Sequence, residues 1–163
     1  VTRVDPDRLG DERAALTQHL AYQRATMLIK LDGLDDEALR RPMTASGLNL
    51  LGLVRHLTVT EHGWLLTIYG GVPDPYLALD EQPGAEFRVD ADEPTEEVLA
   101  LYRETCARAD ELVAAGGLDD VVTTPWGAEV NLRAILAHLV QETARHNGHA
   151  DLMREAIDGT TGS

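Results

Sequence analysis

Cysteine is almost absent from this chain: Cys106 is the only one, which excludes an internal disulfide and any zinc cage built from several thiolates. Basic residues are few. Lys30 is the sole lysine among 14 basic residues set against 28 acidic ones, for a formal net charge of -14 at pH 7. Such a field repels phosphate backbones and anionic lipid headgroups, and no helix gathers a Lys/Arg-rich face, so neither a nucleic-acid nor a membrane partner is expected. Aromatic residues make up only 4%, which leaves Leu, Ala and Val to pack the core. Long apolar runs are missing too. Charges break each one before the roughly 18 residues that span a bilayer, and the stretch VTRVDPDRLGDERAAL has no apolar h-region. The expectation is a soluble, cytoplasmic protein.

What remains is rich in helix signals. At 163 residues and 44% hydrophobic, the chain suits one domain, 1–163, with a real core. Four long helices follow from the spacing of apolar residues. The first is capped by Asp11, buries Leu16, Leu20, Met27 and Leu31, and stops at Gly33. Arg24 falls inside that face, either snorkelling over apolar surface with its head in water or pairing with a buried acid or an anionic ligand. A short turn of helix over 35–40 ends before Pro42, because proline pushes the residue before it out of the helical region. The second long helix runs from an N-cap at Asn49 to about Tyr69 and buries Leu50, Leu53, Leu57, Trp64, Leu65 and Ile68. Glu61 points toward that face, His56 sits at its edge, and His62 lies on the far side as a solvated histidine. Gly52 and Gly63 flank His56 and leave room for a helix, a metal or a ligand to approach.

Between 70 and 94 the composition turns to VPDPY, EQPGAEF and DADEP, which sustains neither a helix nor a central strand. A loop of about 25 residues is long for a compact domain. It can run back along a helix of about 30 Å, so the second and third helices can be parallel. Tyr76 and Phe87 are the residues placed to pin it. The third helix, 95–115, presents Val98, Leu101, Tyr102, Thr105, Ala109, Leu112 and Val113 before Gly116 and Gly117 end it. Cys106 on its margin is a packing residue or a thiol near a site. After a tight turn over 125–127, Asn131 caps the last helix. Trp126 in that turn either lines a pocket mouth or packs.

The last helix, 131–157, carries the chemistry. Leu132, Ile135, Leu139, Thr143, Ala150, Met153 and Ile157 share one stripe, with His146 near its middle and Glu142 one step aside. A buried acid beside a buried imidazole is costly unless something pairs with both, and a divalent cation does. His138, Glu142, His146 and His149 lie three or four apart, so any adjacent pair can chelate one ion. His138 and His149 stand farther from the apolar centre and suit a supporting role or the surface. One helix cannot surround a metal, and His56 is the best placed of the remaining histidines to complete the set. Spacing alone leaves the plainer reading open, because an E-x-x-x-H pair is often a surface ion pair.

The segments GLNLLGLVRHLTVTEHGWL and HLVQETARHNGHADLMREAIDG resemble the DinB-like superfamily, in its branch of short actinobacterial proteins, and the likeness runs from the first helix through Gly159. The resemblance implies an all-α four-helix bundle with a long crossover, about 70–94, between helices 2 and 3. It also implies a divalent ion, zinc first and nickel second, held by a histidine of the second helix and two residues four apart on the fourth. Carried over, these are His56, Glu142 and His146. Many members have histidine where this chain has Glu142, which weakens the case for nickel. The related mycothiol-dependent maleylpyruvate isomerase is similar in using a His, Glu, His set, and such a triad with an open position suits catalytic zinc.

The activity implied is a thiol S-transferase or thiol-dependent isomerase. The ion activates a low-molecular-weight thiol such as mycothiol toward a small-molecule electrophile, since a nearby cation lowers a thiol pKa below about 8.5. Glu61 or His149 would handle protons, and Arg24 and Trp126 are the candidates to contact the cosubstrate. Two alternatives stand beside it: a hydrolase in which the ion activates water, and a bundle that uses the ion as a staple or its surface to bind a partner. A homodimer is the expected assembly.

Overall fold

Asp11 opens the first helix, α1 (Glu12–Leu31), by accepting the Ala14 N–H at 2.8 Å, one of the donors a helix leaves open at its start. Gly33, at φ +78°, then turns the chain through the left-handed region that side chains disfavour. The computed structural model describes residues 1–162 and continues with α2 (Asp36–Arg40), α3 (Leu50–Glu61), α4 (Thr95–Ala115), the strands β1 (Val121–Thr123) and β2 (Glu129–Asn131), and α5 (Leu132–Asp158). Asp35 and Asn49 cap α2 and α3 as Asp11 caps α1, through Ala38 and Gly52 N–H groups at 2.8 Å each. Among these residues no helix is long and apolar enough to cross a membrane.

The chain divides into two compact units. The first comprises Val1–Leu53 and the chain from Leu136 on. Leu20, Met27, Leu31, Leu39, Leu136, Leu139, Ala150 and Met153 are buried in it. Polar bonds join α5 to α1 inside this unit. The Asn147 side chain donates to the Gln23 carbonyl at 3.0 Å and to Gln23 Oε1 at 2.7 Å. Lys30 pairs with Asp151 at 2.5 Å. Arg154 donates to the carbonyls of Lys30 and Asp32, at 3.0 and 2.8 Å, and so serves carbonyls that the end of α1 leaves open.

The second unit is Val54–Ile135. Here α3 gives way to a π-helical segment, His62–Tyr69, where an uninterrupted α-helix is the sequence expectation. The wider turn shifts the phase: Leu65 and Leu66 are buried, while Trp64 and Ile68 are only half-buried. Tight glycine contacts seat this segment on α4. A Cβ at Gly70 would stand 2.5 Å from Leu112 Cδ1, and one at Gly116 would overlap the Tyr69 hydroxyl at 1.7 Å. That hydroxyl donates to Asp120 at 2.9 Å, and the same carboxylate oxygen accepts the Gly117 N–H at 2.6 Å.

The crossover is less bare than its composition predicts, with two short 3-10 turns, Leu77–Glu81 and Ala85–Phe87. It is pinned by Tyr76 and Phe87, against His62 and His56, and by an ion pair of Arg55 with Glu93. The all-α expectation also meets a small exception. The strands pair antiparallel, Val122 opposite Val130, around a turn in which the Gly127 N–H reaches the Thr124 carbonyl at 2.9 Å and Gly127 takes φ +84°. Asn131 ends β2 and at once caps α5, accepting the Ala134 N–H at 2.9 Å.

Candidate metal centre

His56 stands in the middle of α3, half-buried. The Phe87 ring stacks on its imidazole, with centroids 4.1 Å apart and planes within 10°. Thr60, one turn further on, places its hydroxyl 3.5 Å from Nε2. With Val59, Leu79, Gln82 and Glu86, the two line a cavity of about 330 Å³. Phe87 thus supports His56 as well as anchoring the crossover, the one role its sequence position predicts. The signal available was that it is the single phenylalanine of the chain.

On α5, helical spacing places Glu142 and His146 side by side, Oε1 to Nε2 at 3.0 Å. The carboxylate is 15% exposed and the imidazole 7%, so both are largely removed from water. Arg145 reaches the other carboxylate oxygen at 3.7 Å. The far edge of the His146 ring is held as well, its Nδ1 lying 3.3 Å from Nδ1 of His149.

One ligand atom from each of His56, Glu142 and His146 falls within 4.8 Å of the others. Two imidazoles and a carboxylate are the donors that divalent zinc and its neighbours take, and bonds of about 2.0–2.2 Å in a tetrahedron separate such donors by about 3.4 Å. The Glu142–His146 pair is near that spacing at 3.0 Å. The donor set therefore fits a divalent cation.

The chain matches the mycothiol-S-transferase family over residues 15–159. It belongs to that family. Among solved structures it is similar to YfiT from Bacillus subtilis, a probable metal-dependent hydrolase with an unusual four-helix bundle topology. That likeness has a TM-score of 0.67 at 17% identity and covers 98% of this chain and 97% of the other. It shows the four-helix-bundle fold. Comparison with the curated proteins finds no match.

Glu61 closes α3 and is 1% exposed. His149 is exposed on α5 beside His146, and His138 is half-buried one turn before Glu142. Arg24 is buried on α1, only 6% exposed. Trp126 is exposed at the hairpin turn, edge-on to Trp64 at 5.7 Å. It does not line the His56 cavity. Cys106 is half-buried on α4.

His62 departs from its expected solvated position and is buried, at 5% exposure. The apolar period marks one face of the helix and does not reveal that the crossover covers the other, where Tyr76 meets the His62 ring edge-on at 5.4 Å. The π-helix contributes as well, because its i→i+5 repeat brings the Thr67 hydroxyl to 3.2 Å from His62 Nδ1. Burial holds the His62 pKa below its ordinary value, Asp74 opposing the shift and Arg108 adding to it.

Proposed function

We propose that this chain is a divalent-metal-dependent thiol S-transferase in which His56, Glu142 and His146 hold the ion and a low-molecular-weight thiol of the mycothiol type is the cosubstrate. The observation that supports it is the meeting of two imidazoles and one carboxylate within 4.8 Å in a chain of the mycothiol-S-transferase family. A divalent ion bound there favours the thiolate at neutral pH by lowering the thiol pKa.

The chain's own residues hold and orient. Phe87 fixes the plane of His56, and His149 fixes the His146 ring from its Nδ1 edge. Arg145 lies near the carboxylate oxygen of Glu142 that does not face His146. In the transfer the thiol loses its proton, a sulfur–carbon bond forms at the electrophile, and the leaving group departs with its electron pair. His149, exposed beside the set, is placed to pass that proton to solvent.

A second reading is supported by the likeness to YfiT: the same ion would lower the pKa of a water and make a hydrolase. One assay separates the two. Zinc- or nickel-loaded protein is given mycothiol and a haloarene, and the product is identified by mass, then the protein is given esters and amides without thiol. A conjugate that forms with the wild type and is lost in a folded His56→Ala variant supports transfer. Turnover only in the second arm refutes it in favour of hydrolysis.

A further inference from the structure

A cavity of about 320 Å³ lies beside the C-terminal half of α5. We propose that it receives the apolar body of a neutral, aryl-type electrophile, an inference that rests on the thiol-transfer reading for its chemistry though not for its test. Its walls are Met43 and Leu48, from the chain joining α2 to α3, and Leu152 and Met153 from α5. Thr44 and His149 supply the polar groups.

Ligand pockets span about 300–1,000 Å³ and combine apolar walls with a few placed polar groups. This one is at the small end, suited to a single substituted ring.

Its position connects it to the candidate metal centre. His149 lines the cavity while its Nδ1 stands 3.3 Å from Nδ1 of His146. Along α5, His146, His149, Met153 and Ala156 advance by three or four residues and so share a face, with Met153 about 10 Å beyond His146. A ring lodged against Met153 reaches back to His149, beside the Nδ1 edge of His146 and across that ring from the edge that faces Glu142.

The lining also selects by charge. Among the described residues that line the cavity His149 is the only titratable one, and the chain as a whole carries -14. A carboxylate-bearing electrophile finds no counter-charge there and loses its hydration on entry. The electrophile is therefore neutral, which favours transfer to arenes or alkyl halides over isomerisation of unsaturated acids. Leu152, 69% exposed at the rim, is an apolar side chain that such a guest would cover.

The test needs neither thiol nor turnover. The chain has three methionines: Met43 and Met153 line the cavity, and Met27 is buried on α1. In the full chain labelled with ¹³C-methyl methionine, 1,3-dinitrobenzene, which has no leaving group, should shift the Met43 and Met153 signals and leave Met27 unmoved. Ala156→Trp, which fills the cavity, and Leu152→Glu, at an exposed position that keeps the fold safe, should each weaken binding about tenfold. 3,5-Dinitrobenzoate should bind at least about tenfold more weakly than the neutral probe.

Signals that stay still at the probe's solubility limit, equal affinity for the carboxylate, or unaltered affinity in both variants would overturn the proposal. So would a change of oligomeric state in Leu152→Glu without probe binding, which would make the cavity a seat for a second copy. Shifted Met43 and Met153 signals with no thiol conjugation would instead leave the cavity standing and remove the transferase reading.

Discussion

Nδ1 of His149 lies 3.3 Å from Nδ1 of His146, while Nε2 of the same His146 ring lies 3.0 Å from Glu142. At such separations one nitrogen of each facing pair carries a proton. With Nε2–H donating to Glu142, His146 Nδ1 accepts from His149. With Nε2 given over to a cation, Nδ1–H donates to His149 instead. A neutral imidazole serves either arrangement by changing tautomer, so His149 orients the His146 ring whether or not an ion is bound. His149→Ala is expected to weaken zinc binding about 10–100-fold without unfolding the protein. Competition against a chelator reads this directly, and an unchanged affinity would make His149 a bystander.

Removal of a ligand is a larger change than removal of its support. His56→Ala, Glu142→Gln and His146→Ala should each lower zinc affinity by more than about 100-fold, beyond the range that supporting residues reach. Linkage gives a second measurement. Free zinc at about 100 times its Kd stabilises the wild type by about 2.7 kcal/mol against denaturant, and the variants should gain almost nothing at that concentration. An equal gain in all four proteins would place the bound ion elsewhere.

Phe87 couples the crossover to His56 through a stacked contact at 4.1 Å. Phe87→Ala should lose about 0.5–1.5 kcal/mol of stacking beyond the apolar area it exposes, and should reduce zinc affinity because the His56 ring gains freedom. Urea denaturation and zinc titration of the one variant report both effects. Lower stability with undiminished zinc affinity would mean that the stack anchors the loop and does nothing for the ligand.

How far the molecule could be read beforehand depended on whether the signal was local. Asp11, Asn49 and Asn131 mark helix starts because a short side chain satisfies an N–H two or three residues away, and each does so in the structure. Glu142 and His146 were legible for the same reason, their contact being set by helical spacing. The π-helix was not, because HGWLLTIY is apolar at either period and the choice is made by packing against α4 at Gly70 and Gly116. The burial of His62 depends on Tyr76, which arrives from a segment without periodicity. Strands of three residues are too short to show an alternation. Arg24 needed knowledge of its depth, which spacing within α1 does not contain.

His62 makes stability depend on pH in a direction that its surroundings determine. Burial keeps its folded pKa below the ordinary 6.5, Asp74 pulling it back up and Arg108 adding to the depression. The folded state thus resists the proton that the unfolded chain accepts. Its contribution is fully present above pH 6.5 and is lost as pH falls through the depressed folded value. His62→Gln, which cannot protonate and can still bond Thr67, should therefore show a shallower fall in unfolding free energy below pH 6.5 than the wild type. Asp74→Asn should do the opposite. It keeps an oxygen for the Tyr76 N–H but removes the charge that favours protonated His62, so the loss should continue to lower pH. Parallel acid limbs in all three proteins would show that His62 protonates as readily folded as unfolded and that its enclosure by Tyr76 and Thr67 is not maintained in solution.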